Sequence, residues 1–565
     1  MDQNRLLLAI VISVSILVGF EFLMPHQATR QTLTTAPLSA VNPIASTDTD
    51  VTANTPRLPI FGDRVQGSLS LIGAKFDDLL LRDYHETVNP KSPLVRVLDQ
   101  DGSAQSNYLQ FGWVSDTPGI IVPDNKTLWN ATSATLTSST PVTLTWENGH
   151  GLTFEITIAL DSNYLFSVDQ IVRNDGTGAV ALRPWSRVRR GYTPPATGSY
   201  GGQQGLLGAF GNQLHEMNYK DVKSAAEKDE GTGYQFDGTG GWAGITDKYW
   251  LTAIIPDQAT AGTTRFRMLN LRSGDGWQVD FAASSPESIA PRSQANLHSS
   301  AFVGAKEVKL LDSYEAKDNI PSFDKAVDFG WFYFISKPIF YALDFLNSKI
   351  GNFGIAIMVF TVGVKLLFFP LANRSYRSMN KMRLLAPRMQ ELRTRYKEDP
   401  AKMNSETMAL YKNEGVNPAS GCLPMIVQIP VFWALYRDLN TSIEMRHAPF
   451  FGWVHDLSAQ DPTNLFNLFG LLPFDPTIYV SAAHLGVWPL IMGATMYLQQ
   501  RLNPPVPDPV QARMMQFMPL IFTFMMGRAS AGLVIYWSWN NLLSLGQQWI
   551  ITRQSPKTTL RLAKS

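Results

Sequence analysis

The sequence lacks the residues that several kinds of soluble protein require. Cys422 is the one cysteine in 565 residues, so the chain cannot form an internal disulfide, a CxxC zinc site or a cysteine-ligated iron–sulfur cluster. Charged residues make up 17% of the chain, below the roughly 25% that is usual in soluble proteins. The net charge of +1 excludes a nucleic-acid binder that depends on a large basic excess. The low charge content favours a chain that lies partly in a membrane.

The charges that are present divide unevenly along the chain. Residues 1–349 hold 28 Lys and Arg against 36 Asp and Glu, whereas residues 350–565 hold 20 against 11. Fifteen of the 19 Met residues also fall in the second part. An acidic part therefore precedes a basic, Met-rich and apolar part, which indicates two compartments rather than two soluble domains.

The N-terminal residues are predicted to form an anchor and a linker. Residues 6–20 are apolar and uncharged, and residues 21–26 contain no small-residue cleavage site. Residues 1–24 are therefore predicted to be an uncleaved transmembrane signal anchor, with a cleaved signal peptide as the alternative. Residues 25–59 hold eight Thr, five Pro and no aromatic residue, and they are predicted to be a flexible linker.

Residues 60–320 are predicted to form an all-β sandwich domain. In Leu152–Leu160 the apolar side chains occupy alternate positions, which is typical of a half-buried strand. Seven further runs alternate in a similar way: Leu94–Asp99, Tyr108–Val114, Val142–Trp146, Tyr164–Val172, Tyr249–Ile255, Thr264–Leu269 and Trp277–Phe281. The glycine-rich stretch 198–211 lacks the Gly-Lys-Ser/Thr ending of a phosphate loop and is predicted to be a mobile loop.

The remaining residues are predicted to form a membrane α-helical bundle. Residues 329–345 hold eight aromatic residues in 17 positions, so residues 321–349 are predicted to form an amphipathic helix on the membrane surface. A helix buried under the β domain is the alternative. Residues 350–553 hold apolar runs predicted to be transmembrane helices: 351–372, 418–436, 485–500, 514–527 and 531–551. With the anchor, they make six spans.

Loop charges predict the orientation of these spans. Residues 374–416 carry ten basic and five acidic residues, and the tail 554–565 carries three basic residues and no acid. Residues 443–483 carry one Arg and four acids. Basic loops stay in the cytoplasm. Both termini are therefore predicted to be cytoplasmic, with the β domain on the opposite side of the membrane.

Several segments of the second part resemble the YidC/Oxa/Alb family of membrane protein insertases, in its Gram-negative form. The resemblance covers most of residues 350–553. It is carried by TVGVKLLFFPL (361–371), the basic segment 375–418, GCLPMIVQIPVFWALYR (421–437), RHAPFFGWVHDLSAQDP (446–462), RLNPPVPDPVQARMMQFMPLIFTF (501–524) and GLVIYWSWNN (532–541).

The resemblance implies a non-enzymatic insertase and chaperone of the inner membrane, without cofactor or metal. It would insert, fold and assemble integral membrane proteins through a hydrophilic groove, alone or with the Sec translocon. The implied partners are nascent membrane proteins, the Sec translocon with its accessory subunits, the ribosome and signal recognition particle pathway, and membrane lipids. Two alternatives remain open: a secondary transporter, although no inverted repeat is visible, and a glycan-binding or glycan-modifying periplasmic domain on a membrane anchor.

Lys365 is the candidate centre of the groove. It is the one charge inside the predicted span 351–372, eight residues before Asn373, or about 12 Å of helix. A charge at that depth is usually functional, although a lysine can also extend its side chain to the headgroups. The family carries a positive residue here, usually arginine, so lysine keeps the charge but lacks the planar guanidinium.

Four other side chains are candidates for the same groove. Thr361 precedes Lys365 by four residues on one helix face, and Gln428 lies in the middle of its predicted span. Gln500 and Trp537 match positions that resemble groove-lining residues of the family. The alternative for each is a helix–helix hydrogen bond or interface packing.

Residues 375–415 are predicted to form a cytoplasmic helical hairpin. Asp399 can cap its second helix and Pro400 can begin that helix. An adaptable surface for nascent chains or targeting factors is predicted from basic and Met side chains, and packing between the two helices is the alternative. The candidate contact residues are Met379, Met382, Arg383 and Met389.

Overall fold

The protein is described by a computed structural model over residues 55–195, 203–211, 213–228, 233–271, 274–416, 423–472, 484–502 and 509–554. The predicted anchor 1–24, most of the linker 25–59 and residues 555–565 of the tail lie outside the described residues. The chain divides into two compact units. Among the described residues, the β unit comprises residues 55–330 together with Asn440–Glu444, and the helical unit comprises Trp331–Leu439 and the residues from Met445 onward.

The described part of the β unit contains twenty strands. In chain order they are β1 (Arg57–Phe61), β2 (Val65–Ser70), β3 (Lys75–His85), β4 (Leu94–Leu98), β5 (Asn107–Ser115), β6 (Asn130–Ala131), β7 (Leu136–Thr137), β8 (Val142–Glu147), β9 (Leu152–Leu160), β10 (Leu165–Asn174), β11 (Val180–Arg190), β12 (Gly205–Phe210), β13 (Gln213–Met217), β14 (Tyr234–Thr239), β15 (Trp242–Thr246), β16 (Trp250–Pro256), β17 (Ala261–Leu271), β18 (Gly274–Ala283), β19 (Glu287–Ile289) and β20 (Ser293–Ala305).

These strands form two sheets that pack face to face. The first has the order β14-β17-β18-β11-β5-β3-β2-β1-β7, with β19 beside β11 and β4 beside β3. The second has the order β13-β12-β15-β16-β20-β10-β9-β8-β6. Rings of the two sheets meet in the core: Phe76 lies 5.5 Å from Phe166 between centroids, and Trp113 lies 5.2 Å from Phe154. The arrangement is a β-sandwich.

The sandwich agrees with the alternation in the sequence but differs from the prediction in two places. β9 alternates between buried and half-buried side chains along its whole length, and all eight alternating runs match strands to within one residue. The first strand begins at Arg57, ahead of the predicted start at residue 60. The glycine-rich stretch 198–211 is predicted to be a loop, but its residues 205–210 form the fully buried strand β12. There glycine admits close packing, because a Cβ on Gly208 would lie 2.7 Å from the Trp242 carbonyl oxygen.

Two helices also contradict the prediction of an all-β domain. They are α1 (Tyr219–Lys228) and α2 (Val308–Lys317). In α1 the buried residues Tyr219, Val222 and Ala226 follow helical spacing. This pattern is short and mostly polar, so the β periodicity around it dominated the prediction.

The helical unit contains eight α-helices in its described residues. They are α3 (Tyr333–Ile350), α4 (Phe353–Leu367), α5 (Phe369–Arg395), α6 (Pro400–Asn413), α7 (Leu423–Thr441), α8 (Val487–Leu502), α9 (Pro509–Met526) and α10 (Ala531–Gln554). Two predicted boundaries were wrong by about five residues. The charges of Arg437 and Asp438 predict an end at residue 436, but α7 continues to Thr441. Asp438 is buried, so its charge does not mark an exposed helix end. α9 begins at Pro509, since proline suits the first position of a helix.

The predicted straight span 351–372 is replaced by two helices. α4 ends at Leu367, α5 begins at Phe369, and their axes differ by 69°. Pro370 lies in the first turn of α5. Proline has no N–H group and its ring collides with the carbonyl four residues earlier, so Pro370 favours the start of a new helix over continuation of α4.

Among the described residues, no single helix is both long enough and apolar enough to cross a membrane. The bent pair α4 and α5 together has the required length and apolar content. The core of the unit joins side chains from α3, α4, α7, α8 and α10, including Leu343, Ile357, Leu435, Met492 and Ile535. On α3, Phe340 and Leu343 are buried whereas Trp331, just before the helix, and Phe334 are more than two-thirds exposed. The predicted helix 321–349 is thus limited to Tyr333–Ile350, with one face buried and aromatic side chains exposed near its start.

Candidate functional site

The candidate site is built on the last turns of α4. The Asn352 side chain caps this helix by accepting from the Ile355 N–H at 3.1 Å. Thr361 and Lys365 are the polar side chains in the C-terminal half of this apolar helix, and their spacing of four residues places them on one face. Thr361 is buried and its Oγ1 donates to the Ile357 carbonyl at 2.6 Å, so its polarity is satisfied within the helix.

Lys365 reaches across to α10. Its Nζ donates to the Ser544 Oγ at 2.7 Å. Within the described residues no carboxylate lies at ion-pair distance from this ammonium. A lysine ammonium has three N–H donors, and the described residues engage one of them. The site therefore holds a positive charge that faces a neutral partner.

A small cavity opens beside Lys365. Its volume is about 50 Å³, which is room for a few water molecules. Apolar side chains form most of its wall. Its lining residues are Thr361, Val364, Lys365, Phe368, Leu371, Ala372, Val427, Gln428, Val431, Tyr536 and Asn540.

The structure brings three of the predicted groove residues together and leaves two apart. Lys365, Thr361 and Gln428 line the same cavity, whereas Gln500 and Trp537 do not. Trp537 packs against Phe432 and Phe522, with ring centroids 4.8 and 5.8 Å away. Gln500 lies near the end of α8, and its buried Oε1 has no hydrogen-bond partner among the described residues.

The sequence reasoning missed three polar residues of α10. Tyr536 and Asn540 line the cavity, and Ser544 binds Lys365. They are spaced four residues apart and so share one helix face. That spacing was readable in the sequence. Trp537 is adjacent to Tyr536, but one residue is about 100° of helix rotation, which turns its ring to another face.

The hairpin residues fall into two groups. Met379 is buried with Tyr376 and Ile551, and Met382 packs against this cluster, so the first part of α5 packs on α10 rather than on α6. Farther along, the Met389 sulfur accepts from the Tyr411 hydroxyl of α6 at 3.0 Å. Arg383 is exposed.

The second hairpin helix begins as predicted. The Asp399 side chain accepts from the Lys402 N–H at 3.0 Å, and Pro400 occupies the first helical position. A carboxylate at this end also suits the positive end of the helix dipole. Arg388 pairs with Glu414 at 2.8 Å across the two helices.

Family models cover nearly all of the described chain. The model described as "YidC periplasmic domain" matches residues 57–342, and the model described as "60Kd inner membrane protein" matches residues 345–558. The boundary between them lies within α3.

Curated relatives match at high identity. A protein of Granulibacter bethesdensis named "Membrane protein insertase YidC" is 55% identical, and the match covers 100% of both chains. A protein of Acidiphilium cryptum with the same name is 52% identical over 88% of this chain and 84% of its own. A solved structure described as "Active YidC insertase crystal structure with the first transmembrane domain resolved" is 18% identical and covers 88% of this chain and 92% of its own, with a TM-score of 0.36.

Proposed function

The chain belongs to the YidC family of membrane protein insertases, and from this premise we propose that Lys365 attracts acidic segments of the proteins that it inserts. The chain is a membrane protein insertase with a periplasmic domain. Family membership decides for this activity over the transporter and the glycan-binding protein. The proposal concerns how the residues described above perform the insertion.

One observation carries the proposal: the Lys365 ammonium has a neutral hydroxyl as its partner, and no carboxylate of the described residues neutralises it. A charge in such a setting attracts an incoming carboxylate. In a partly hydrated cavity, one charge pair at about 4 Å contributes on the order of 1–4 kcal/mol. An effect of this size changes the rate of a transient step by tenfold or more.

The cavity is the starting point of the groove rather than its full extent. At about 50 Å³ it holds water but no polypeptide segment. Insertion therefore requires α4, α7 and α10 to separate around Lys365. The entering segment can then form hydrogen bonds to polar side chains in place of water, which lowers its desolvation barrier. These side chains are Thr361, Gln428, Tyr536 and Asn540.

We propose six spans with both termini in the cytoplasm of an inner-membrane protein. The basic segment 374–416 and the acidic loop 443–483 support this orientation. In it, α4 enters from the periplasmic side and ends near the cytoplasmic side at Leu367, and α5 leads into the hairpin. The exposed aromatic face of α3 lies at the periplasmic surface of the bilayer.

The driving force is the burial of apolar substrate segments in lipid, and no chemical reaction takes place. In this proposal the protein acts as a non-enzymatic insertase and chaperone. Each CH₂ group that leaves water contributes about 0.8 kcal/mol. Lys365 and its neighbours act on the rate by stabilising a polar segment halfway across.

The partners beyond the nascent chain are proposed from the hairpin. Exposed basic residues such as Arg383 suit the anionic surfaces of ribosomal RNA and of lipid headgroups. The ribosome, the signal recognition particle pathway and the Sec translocon with its accessory subunits are the proposed delivery partners. Since Met379 and Met382 pack on Ile551, the part of the hairpin beyond residue 383 is the more accessible surface.

Insertion assays on a matched pair of substrates test the role of Lys365. The two substrates differ only in the translocated segment, which is acidic in one and neutral in the other. Lys365→Arg should retain both activities, because the positive charge survives. Lys365→Ala should slow the acidic substrate by about tenfold and spare the neutral one. Lys365→Glu should slow the acidic substrate further by repulsion.

Lys337→Ala is the matched control, because it removes a lysine of the helical unit that lies on α3 and hydrogen-bonds to Tyr333. It should leave the ratio between the two substrates unchanged. Equal insertion of the acidic substrate by wild type and Lys365→Ala would end the proposal and favour a lysine that merely extends to the headgroups.

A further inference from the structure

Ser544 joins Lys365 to α10 through two hydrogen bonds. It is buried on α10. Its Oγ accepts from the Lys365 Nζ at 2.7 Å and donates to the Asn540 carbonyl of its own helix at 2.8 Å.

These two bonds fix the orientation of the Ser544 hydroxyl. A serine hydroxyl has one proton to donate and two lone pairs to accept with. The proton is engaged with the Asn540 carbonyl, and one lone pair accepts from Lys365. The hydroxyl therefore cannot rotate without losing a bond.

The position of Lys365 on α4 explains why such a fixed acceptor matters. Lys365 is two residues before the end of α4, and the next side chains, Leu366 and Leu367, are mostly exposed. A lysine stem at a helix end can turn its ammonium toward the membrane surface. The hydrogen bond to Ser544 instead holds the ammonium against α10. Ser544 lies ten residues before Gln554 at the end of α10, or about 15 Å of helix from that end.

We propose that Ser544 is a positioning residue that holds the Lys365 ammonium in the groove. The inference rests on the proposed role of Lys365 in binding acidic segments. Ser544 does not contact the substrate in this account. It determines where the charge stands when the substrate arrives.

Variants at Ser544 test the proposal in the full-length protein with the acidic and neutral substrates described above. Ser544→Ala should slow the acidic substrate by about tenfold, the scale of a lost hydrogen bond to a charged group, and leave the neutral substrate within twofold. Ser544→Thr keeps a hydroxyl and should retain insertion of the acidic substrate. Ser544→Val has the same shape as threonine without the hydroxyl and should behave like alanine.

Ser538→Ala is the matched control. Ser538 is also buried on α10, and its Oγ donates to the Val534 carbonyl at 2.8 Å, but it holds no lysine. Its replacement should leave both substrates unaffected. Insertion of the neutral substrate by each Ser544 variant verifies that the variant is folded and in the membrane.

Combination with Lys365→Ala separates positioning from a general structural role. Ser544→Ala should add no further loss to Lys365→Ala, because the group that it positions is already gone. An additive loss, or equal slowing of the neutral and acidic substrates, would overturn the inference. If Lys365→Ala favours the neutral substrate while Ser544→Ala does not, the inference fails and the proposed function stands; if Lys365→Ala shows no such preference, the proposed function itself fails.

Discussion

A half-buried lysine and a fully buried lysine in this chain have the same kind of partner. Lys365 donates to the Ser544 hydroxyl, and Lys306 of the β unit donates to the Thr246 hydroxyl at 3.0 Å. Lys306 is almost fully enclosed, and burial lowers its pKa to about 8, while the negative charges of Asp328, Asp247 and Glu216 oppose that shift. A neutral acceptor thus satisfies hydrogen bonding without cancelling the charge.

The lowered pKa of Lys306 makes the stability of the β unit depend on pH. Between pH 8 and 10 the folded state has released this proton, whereas the unfolded chain, with the ordinary pKa of 10.5, still binds it. The free energy of unfolding should therefore rise with pH, by about 2 kcal/mol over this window from this group. Below pH 8 both states are protonated, and the destabilisation by the buried charge is present in full.

Limited proteolysis of the full-length protein in detergent, with increasing denaturant at pH 8, 9 and 10, measures this effect. The rise should be present in wild type relative to Lys306→Met, which cannot titrate. Lys309→Met, at an exposed position three residues later, should match wild type at each pH. A constant difference between wild type and Lys306→Met across the window would contradict the expectation.

At the scale of elements, strands were more predictable from the sequence than helix ends. The alternation in β9 is a local pattern, because a half-buried strand repeats every two residues. The buried strand β12 has no such alternation, since both of its faces are covered, and its glycines resembled those of a loop. Its assignment depends on Trp242 and other residues distant in sequence.

The bend between α4 and α5 shows a different limit. Pro370 lies within the apolar run 351–372, and the apolar composition of that run predicts a single span. Composition indicates that a segment can enter a membrane, whereas a proline decides whether the helix stays straight. The candidate site was predictable in the same partial way: Lys365 stood out as a lone charge, but Ser544 required knowledge of which face of α10 turns toward α4.

The hairpin should be essential for insertion even though the groove lies elsewhere. Deletion of residues 384–412, replaced by a short Gly-Ser linker, removes the outer part of α5 and most of α6 and keeps the packing of Met379 and Met382 on Ile551. Insertion of both the acidic and the neutral substrate should be abolished, because delivery precedes the groove step.

Carbonate extraction verifies that the deletion variant is integrated in the membrane. Tyr411→Phe, which removes the hydrogen bond to the Met389 sulfur and keeps the hairpin, serves as the control and should retain most activity. Normal insertion by the deletion variant would show that the surface beyond residue 383 is not used.

At the scale of the whole molecule, the candidate site lies entirely in one of the two compact units. The polar side chains around Lys365 all belong to the helical unit, whereas the β unit closes its own core between two sheets. The segment Asn440–Glu444 joins the β unit, where the Glu444 carboxylate accepts from the Val308 N–H at 2.8 Å. This carboxylate satisfies a free N–H group at the start of α2.

The β unit should therefore be largely dispensable for insertion. Deletion of residues 57–327, which keeps the predicted anchor and α3, should leave insertion of both substrates within about threefold of wild type, since no residue near Lys365 is removed. Glu444→Gln in the full-length chain weakens the same contact without removing the unit, and it should retain full activity. Complete loss of insertion by a stable, membrane-integrated deletion variant would refute this expectation.

The uncompensated ammonium of Lys365 also lies within an electric field. The proposed orientation places this lysine near the cytoplasmic side of the membrane, which is the negative side. The electrostatic energy of one elementary charge that crosses the whole membrane potential changes by about 2.3 kcal/mol per 100 mV. An acidic side chain that moves outward gains this energy, and a pause at Lys365 divides the gain into one step before the pairing and one after it. Because Lys365 lies nearer the cytoplasmic surface, most of the electrostatic energy is released in the second step, after the acidic side chain has left the lysine. The membrane voltage therefore favours movement of the segment from Lys365 toward the periplasm.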